Sequence, residues 1–434
     1  MSILAADFKA RPWWWEAAAP VQRDNTLPAE AEVLVVGGGY AGLSAALTLA
    51  RLGHDVTVID AERIGWGASS RNGGMVSGGL KVARGPLEKT YGPARAMEIM
   101  KACGGSFPFI EETMIREGIE ADYKRVGRFV GAWTPGHYKV LEKSAARIAE
   151  MSALPTTMIP RENQREFIGS DHYHGGMHAE ATGSLHPGKY ARGLAAAAER
   201  AGARLVDATR VSRIEKQAAQ FRVTTDHGVV TAKHVLTATN GYSHKGPNPW
   251  FARRMVPLAS YIIATEELPP EQIERLFPKQ RMLSDTKLVL NYFRPSPDGR
   301  RVLWGGRASF AAESAEQAAP RLHATMCEVF PELSEVKITH AWTGNVAFTF
   351  DHLPHIGVQD GVHYAGGCQG SGVAMATWLG HNVALKIAGA ANEKFALDDL
   401  PFPTRPFYSG DPWWFMPVIG NWYRLKDRIE RMAA

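Results

Sequence analysis

The chain has 434 residues, of which 45% are hydrophobic, 21% charged and 9% aromatic. That is an ordinary globular balance: it excludes wholesale disorder, and at roughly 150 residues per domain the length predicts about two to three domains. Lys and Arg number 49 against 44 Asp and Glu, and the resulting +5 is spread without a basic run of five, so nucleic acid is not an expected partner.

Residues 32–36 (EVLVV) predict a strand, closed by Gly37-Gly38-Gly39-Tyr40-Ala41-Gly42. Residues 43–52, rich in Ala and Leu, predict a helix that Gly53 stops, and 56–60 (VTVID) predict a second strand. Strand, glycine turn, helix and strand within about 30 residues make a βαβ unit. A glycine-rich loop over 65–79 leads to helices near 92–118 and 137–151, with a strand at 127–131 between them. A helix over 189–201 ends at Gly202, and strand-like runs follow at 204–207, 211–215, 221–225 and 229–239, with Asp226-His227-Gly228 as a hairpin turn. After the proline-bearing segment 245–249, strands are predicted at 257–265, 289–295 and 301–306, and a helix at 315–330. Strands at 336–342 and 362–365 and a helix at 372–388 close the pattern, without any internal repeat.

Gly37-x-Gly39-x-x-Gly42 is the dinucleotide fingerprint in its required context, after a strand and opening a helix. Its glycines allow the tight turn, the approach of backbone to a pyrophosphate and close helix packing, while the helix N-terminus offers N–H groups to the anion. Asp60 lies 23 residues after Gly37, at the end of the second strand, where a carboxylate accepts ribose hydroxyls and repels a 2′-phosphate. Directly after it, residues 63–74 hold two serines, two arginines and four glycines. A plain NAD domain has no need of that second polar loop, whereas FAD, reaching beyond its pyrophosphate, does. Near the other end, Gly366-Gly367-Cys368-Gln369-Gly370-Ser371-Gly372-Val373 joins a strand to a helix and presents a second helix N-terminus to the negative edge of a reduced flavin.

The first βαβ unit and the last strand–helix pair are alike in chemistry but lie over 300 residues apart. The pattern therefore predicts an α/β fold: one discontinuous nucleotide-binding domain over 28–85, 155–245 and 338–395, interrupted by segments of a second, sheet-rich domain over 86–154 and 246–337. Residues 1–27 and 396–434 are terminal extensions.

Residues 35–42, 65–74, 341–348 and 366–373 resemble the FAD-dependent amine oxidoreductases of the D-amino-acid oxidase superfamily, and are most like the γ-glutamylputrescine oxidases. The aromatic segment Trp13-Trp14-Trp15 and the 423–428 tail extend the likeness over nearly the whole chain. It implies a Rossmann-like FAD-binding domain and an α+β substrate domain on a mixed or antiparallel sheet, with Gly37, Gly39, Tyr40, Ala41 and Gly42 cradling the pyrophosphate of FAD and Asp60 holding the adenosine ribose. Ala68, Ser69 and Ser70 would follow the phosphates, Arg71, Asn72 and Gly73 the flavin, Val211 the adenine through its backbone, and Gly370, Ser371, Gly372 and Val373 the pyrimidine edge. Two positions depart from the pattern: Ser70 stands where close relatives usually have glycine and Ser371 where they usually have histidine.

The reaction implied is oxidation of a C–N bond beside an amine, with hydride transfer to the flavin and hydrolysis of the resulting imine. Small-molecule amines are the expected substrates, γ-glutamylputrescine-like or otherwise secondary, with oxygen the expected acceptor and peroxide its product. The alternatives are an N-alkyl or cyclic amino-acid dehydrogenase reducing a quinone, and a flavin-binding protein without turnover. Trp342, Gln369 and Tyr261 are the catalytic-pocket candidates, and Arg294 or Arg307 a carboxylate holder.

Cys103, Cys327 and Cys368 form no disulfide framework, and Cys368 reads as a packing thiol rather than a covalent flavin anchor. His352 and His355 read as turn residues, and no metal site is expected. The start of the chain carries Asp7 and no apolar run of leader length, and no window of about 18 uncharged apolar residues exists, so the expected setting is the cytoplasm without a membrane span. The apolar patch 413–420 is expected to fold back on the FAD domain, with oligomer burial or peripheral membrane contact as its other readings.

Overall fold

Two sheets organise the chain, and each begins from a local pattern in the sequence. The computed structural model describes residues 2–80, 82–152, 155–244, 246–306, 313–391, 394–398 and 400–432. Val33, Leu34 and Val35 are fully buried, as a continuous apolar run in a parallel sheet covered on both faces must be. Their strand, Glu30–Val36, runs parallel to Val56–Ile59 on one side and to Gly228–Thr237 on the other. Arg204–Val206 and Val362–Gly366 extend the parallel core, and the hairpin strands Val211–Gln217 and Gln220–Thr225 extend the edge. Helices Tyr40–Arg51, Pro187–Arg200 and Gly372–Ile387 share one apolar core over this sheet.

The second sheet has nine strands, in the order Leu4–Lys9, Ile338–Phe348, Val256–Thr265, Val302–Gly306, Asn291–Pro295, Met282–Asp285, Arg128–Gly131, Gly176–Ala179 and Thr156–Ile159. Pairing is antiparallel except where Leu4–Lys9 meets Ile338–Phe348 and where Met282–Asp285 meets Arg128–Gly131. Its outer face, with Tyr261, Ile263, Phe293, Trp304 and Ala341, packs under helix Ala315–Val329. Its inner face turns Ile262, Ala264, Leu303 and Trp342 toward the first lobe, where they meet Trp14.

The mixed α/β class and the second sheet agree with the expected architecture, but hydrogen bonding redraws the domain limits. Thr156–Ile159 and Gly176–Ala179, assigned from sequence to the FAD domain, pair into the nine-stranded sheet. So does Ile338–Phe348, at the head of the 338–395 segment. Conversely, Leu87, Ala96, Ile99, Phe107, Ile110 and Met114, placed in the substrate domain, bury themselves in the core of the nucleotide lobe. The patch 413–420 also lands elsewhere than expected. It opens helix Met416–Met432, whose Met416 packs on Leu258 of the nine-stranded sheet, an apolar neighbour the nucleotide lobe does not supply.

Candidate functional site

The strand Glu30–Val36 ends in Gly37, held at φ +109°. A methyl group there would stand 2.9 Å from the Ala238 carbonyl oxygen, and one on Gly42 would stand 1.9 Å from the Gly37 carbonyl oxygen. Only glycine lets the helix lie this close to the strand-end turn. The helix Tyr40–Arg51 starts at Gly39 without a side-chain cap, so part of its first turn of N–H groups is left for an anion. Ser69 Oγ takes one of them, Tyr40 N–H, at 2.9 Å.

Asp60 Oδ2 accepts the Gly38 N–H at 2.7 Å and Oδ1 the Glu62 N–H at 2.9 Å. Burial, reinforced by the Asp207 and Glu62 carboxylates, raises its carboxyl to about 6 against two backbone hydrogen bonds that lower it. Thr209 N–H donates to the Asp60 carbonyl at 2.8 Å, which brings Val211, at the start of its strand, close to Asp60.

The second polar loop is folded by its own side chains. Asn72 Nδ2 donates to the Ala68 and Ser69 carbonyls, and its Oδ1 accepts from Gly74 N–H. Arg71 lies between two indoles, its Cζ 4.0 Å from the Trp66 ring and 4.6 Å from Trp15, while its guanidinium donates to the Trp66 and Thr343 carbonyls. Three further indole N–H groups hold three successive residues: Trp15 to Ser70 Oγ at 3.0 Å, Trp342 to the Arg71 carbonyl at 2.7 Å, and Trp14 to the Asn72 carbonyl at 2.9 Å.

The turn before helix Gly372–Ile387 meets the second sheet as well. Gly367 N–H donates to Asn240 Oδ1, Gln369 N–H to the Ala347 carbonyl, and a methyl on Gly370 would touch Val346 at 3.8 Å. Ser371 precedes the helix without a side-chain cap. Tyr242 OH accepts from Asn345 N–H at 3.2 Å, and Asn345 Nδ2 donates to the Gly241 carbonyl. The glycine turn, Asp60 and the 68–73 loop are thus joined by hydrogen bonds, and the 370–373 turn meets the same strand, Ile338–Phe348, that holds the loop; the space between these segments and the inner face of the nine-stranded sheet is the candidate crevice. Across that face the Tyr292 ring lies over Gly305 and reaches Gly73, and its hydroxyl meets Ser260 Oγ at 2.9 Å.

Of the pocket candidates, Trp342 is on this inner face. Tyr261 is not: it lies one residue from Ser260 and Ile262, so strand alternation turns it outward, where its hydroxyl donates to the Glu313 carbonyl. Gln369 is buried and its amide donates to Thr349 Oγ1 and the Gly367 and Leu353 carbonyls, which makes it a brace for the 349–353 turn. Arg294, buried, donates to the Gly74, Leu185 and Pro295 carbonyls, so it is not aimed at a substrate carboxylate. Arg307 lies outside the described residues. Cys368 is buried 3.9 Å from Asn240 Nδ2, its thiol pushed up to about 12 by burial. His355 bonds Asp351 and stacks 3.9 Å over Phe402, and His352 sits in a left-handed turn at φ +59°. Sequence reasoning missed Trp14 and Trp15 as loop anchors, and Ser260, Asn240 and Tyr242 as crevice residues. For Asn240 a signal existed: Asn240-Gly241 is a turn dipeptide straight after a predicted strand.

Residues 32–385 match the family model described as FAD dependent oxidoreductase. The chain is 33% identical over 427 residues to a probable oxidoreductase OrdL of Rhizobium meliloti (strain 1021), covering 96% of this chain and 97% of that one. It is 33% identical over 405 residues to the gamma-glutamylputrescine oxidoreductase of Escherichia coli (strain K12), covering 92% and 93%. In fold it is similar to the glycine oxidase of Geobacillus kaustophilus, with a TM-score of 0.70 at 21% identity over 87% of this chain and 99% of that one. The L-proline dehydrogenase of P. horikoshii gives 0.68 at 20% over 90% and 98%.

Proposed function

The chain belongs to the FAD dependent oxidoreductase family, and from that premise we propose that it oxidises the C–N bond of a small γ-glutamylated or secondary amine, with oxygen as acceptor. It is an enzyme, and its cofactor is FAD. The crevice fits that cofactor: a methyl group on Gly37 or Gly42 would force the strand-end turn and its helix apart, and two helices open into it without side-chain caps. In this reading Gly37 and Gly39 to Gly42 hold the pyrophosphate, Asp60 the ribose and the backbone of Val211 the adenine. Ala68, Ser69 and Ser70 follow the phosphates, Arg71, Asn72 and Gly73 flank the flavin, and residues 370–373 meet its pyrimidine edge.

When bound, FAD supplies a two-electron acceptor for the hydride that leaves the carbon beside the amine, and passes the electrons to oxygen as peroxide. The residues supply position and surroundings. Trp342 and Trp14 fix the loop beside the flavin, and the Ser260–Tyr292 hydroxyl pair offers an acceptor for the N–H of a neutral amine. The aromatic faces of Tyr292 and Tyr242 favour an amine-bearing chain.

One observation carries the choice of an amine over an amino acid: Arg71 and Arg294, the described cations at this crevice, are both committed to main-chain carbonyls. Neither is offered to a carboxylate adjoining the reacting carbon. The relation to gamma-glutamylputrescine oxidoreductase supports the substrate class. The test is anaerobic bleaching of the flavin absorbance across γ-glutamylputrescine, putrescine, N-alkyl amino acids and proline, with peroxide measured on readmitting air. Bleaching by the γ-glutamyl amine with stoichiometric peroxide is expected. Bleaching by amino acids alone overturns the substrate assignment, and turnover only with a quinone overturns the acceptor.

A further inference from the structure

The C-terminal helix Met416–Met432 is mounted the wrong way round for a surface helix. Its buried side holds Met416, Gly420 and Asp427. The Asp427 carboxylate accepts the N–H groups of Leu288 and Val289 at 2.9 and 3.0 Å, and Arg431 donates to the Trp133 and His172 carbonyls. Those polar contacts and a short apolar edge of Met416, Ile419 and Tyr423 packed about Leu258 hold the helix, whereas a helix on a globular surface ordinarily buries its main apolar stripe. Here that stripe faces out: Trp414, Val418, Trp422, Leu425, Ile429 and Met432 are all exposed, from 50% at Leu425 to 80% at Met432. At 100° per residue the five that lie on the helix, Val418 to Met432, fall within an arc of about 80°, and Trp414 stands just before its first turn.

We propose that this face docks the enzyme on an anionic phospholipid surface. Charge selects that occupant. Lys426 and Arg428, both exposed, lie about 80° to either side of the stripe's centre line. The helix's two acids are turned away from it: Asp427 is buried, and Glu430 faces His137 at 3.3 Å and Lys426 at 3.8 Å. If a second copy covered the stripe, the flanks would face each other across the seam, and parallel and antiparallel pairing alike would set cation against cation. An anionic headgroup layer turns the same flanks into attraction. Trp414 and Trp422 are moreover the ring type that settles at a membrane–water boundary. No described helix is long and apolar enough to cross a bilayer, so the contact is peripheral. Met416 packs on Leu258, on the same strand face as Ser260 and Ile262, which sets the docked helix at the crevice side of the sheet.

The FAD-loaded enzyme is to be sedimented with vesicles of phosphatidylcholine and with vesicles containing one third phosphatidylglycerol. Expected are binding to the anionic vesicles only, a blue shift of tryptophan emission, and release by high salt. Ile429→Asp, and separately Lys426→Glu with Arg428→Glu, should each weaken partitioning about tenfold or more. Both should leave FAD content and turnover of a soluble substrate as in the parent. No binding to anionic vesicles overturns the proposal, as does equal binding to both compositions that the charge reversal leaves untouched. A solution dimer that Ile429→Asp dissociates, without vesicle binding, assigns the face to a second copy and also overturns it.

Discussion

Trp342→Phe removes the shortest of the three indole hydrogen bonds on the 70–72 loop, the 2.7 Å contact to the Arg71 carbonyl. No other bond to that carbonyl is described, and a buried acceptor stripped of its donor costs about 1–3 kcal/mol. Shrinking a ring that is 1% exposed adds roughly 1 kcal/mol of packing loss to the stability change. The two losses fall on different observables. The packing loss lowers the melting temperature whether or not cofactor is present. The hydrogen-bond loss frees a loop that must be ordered to meet the flavin, and at about 1.4 kcal/mol per decade it should raise the FAD Kd about 5- to 150-fold. Titration of the apoprotein with FAD, followed by quenching of flavin fluorescence, measures the second, and thermal unfolding of the apoprotein measures the first. Trp14→Phe breaks the neighbouring bond to Asn72 and should be coupled to Trp342→Phe rather than additive, since both hold one loop. If Trp342→Phe lowers the melting temperature but leaves the FAD Kd within about twofold, below the smallest effect that a lost hydrogen bond gives, the clamp is packing alone.

Gly42→Ala places a methyl 1.9 Å from the Gly37 carbonyl oxygen. It should yield protein without bound flavin, read from the absorbance ratio on purification; a fully loaded variant refutes the cradle. Asp60 carries a native carboxyl near 6 against 3.8 unfolded. Between those values the native apoprotein keeps a proton that the unfolded chain has released, so this group's contribution to stability falls as pH rises from about 4 to 6. Asp60→Asn should therefore gain stability relative to the parent between pH 4 and 7 in urea unfolding of the two apoproteins, while binding FAD less tightly. A pH-independent difference refutes the assignment. Arg294→Met strips donors from three buried carbonyls and should destabilise by about 2–4 kcal/mol in denaturant unfolding. Its ranking of substrates with and without a carboxylate should be unchanged, and a selective loss of the carboxylate-bearing ones would restore Arg294 as their holder.

The nucleotide lobe was readable because its demands are local. The strand expected at 32–36 forms as Glu30–Val36, the one at 56–60 as Val56–Ile59, and the helix at 372–388 as Gly372–Ile387. Leu4–Lys9, Thr156–Ile159, Gly176–Ala179 and Met282–Asp285 were not seen. Strands of four to six residues offer too few positions for a period to show. Which sheet an inserted strand joins depends on partners far away in the chain. Thr156–Ile159 has its register with Gly176–Ala179 and, through it, with Arg128–Gly131, and nothing within those residues says so.

The crevice divides along the same line. A glycine that must accept φ +109° or a 1.9 Å approach declares the need in its own identity, so Gly37 and Gly42 could be read directly. Tyr261 could not be placed, because Val256–Thr265 is apolar at most positions, with both of its faces covered, and period-two alternation is invisible in such a strand. Its facing follows only from register: Ile262 opposite Trp342, and Tyr261 opposite Thr343. A slip of one residue would have put Tyr261 on the inner face and Ser260 under the outer helix. The indole clamp is hidden for a further reason. Two of its three acceptors are main-chain carbonyls, of Arg71 and Asn72, which every sequence possesses. The donor Trp342 is recognisable as a tryptophan, but its task is set by the peptide that the folded loop brings to it.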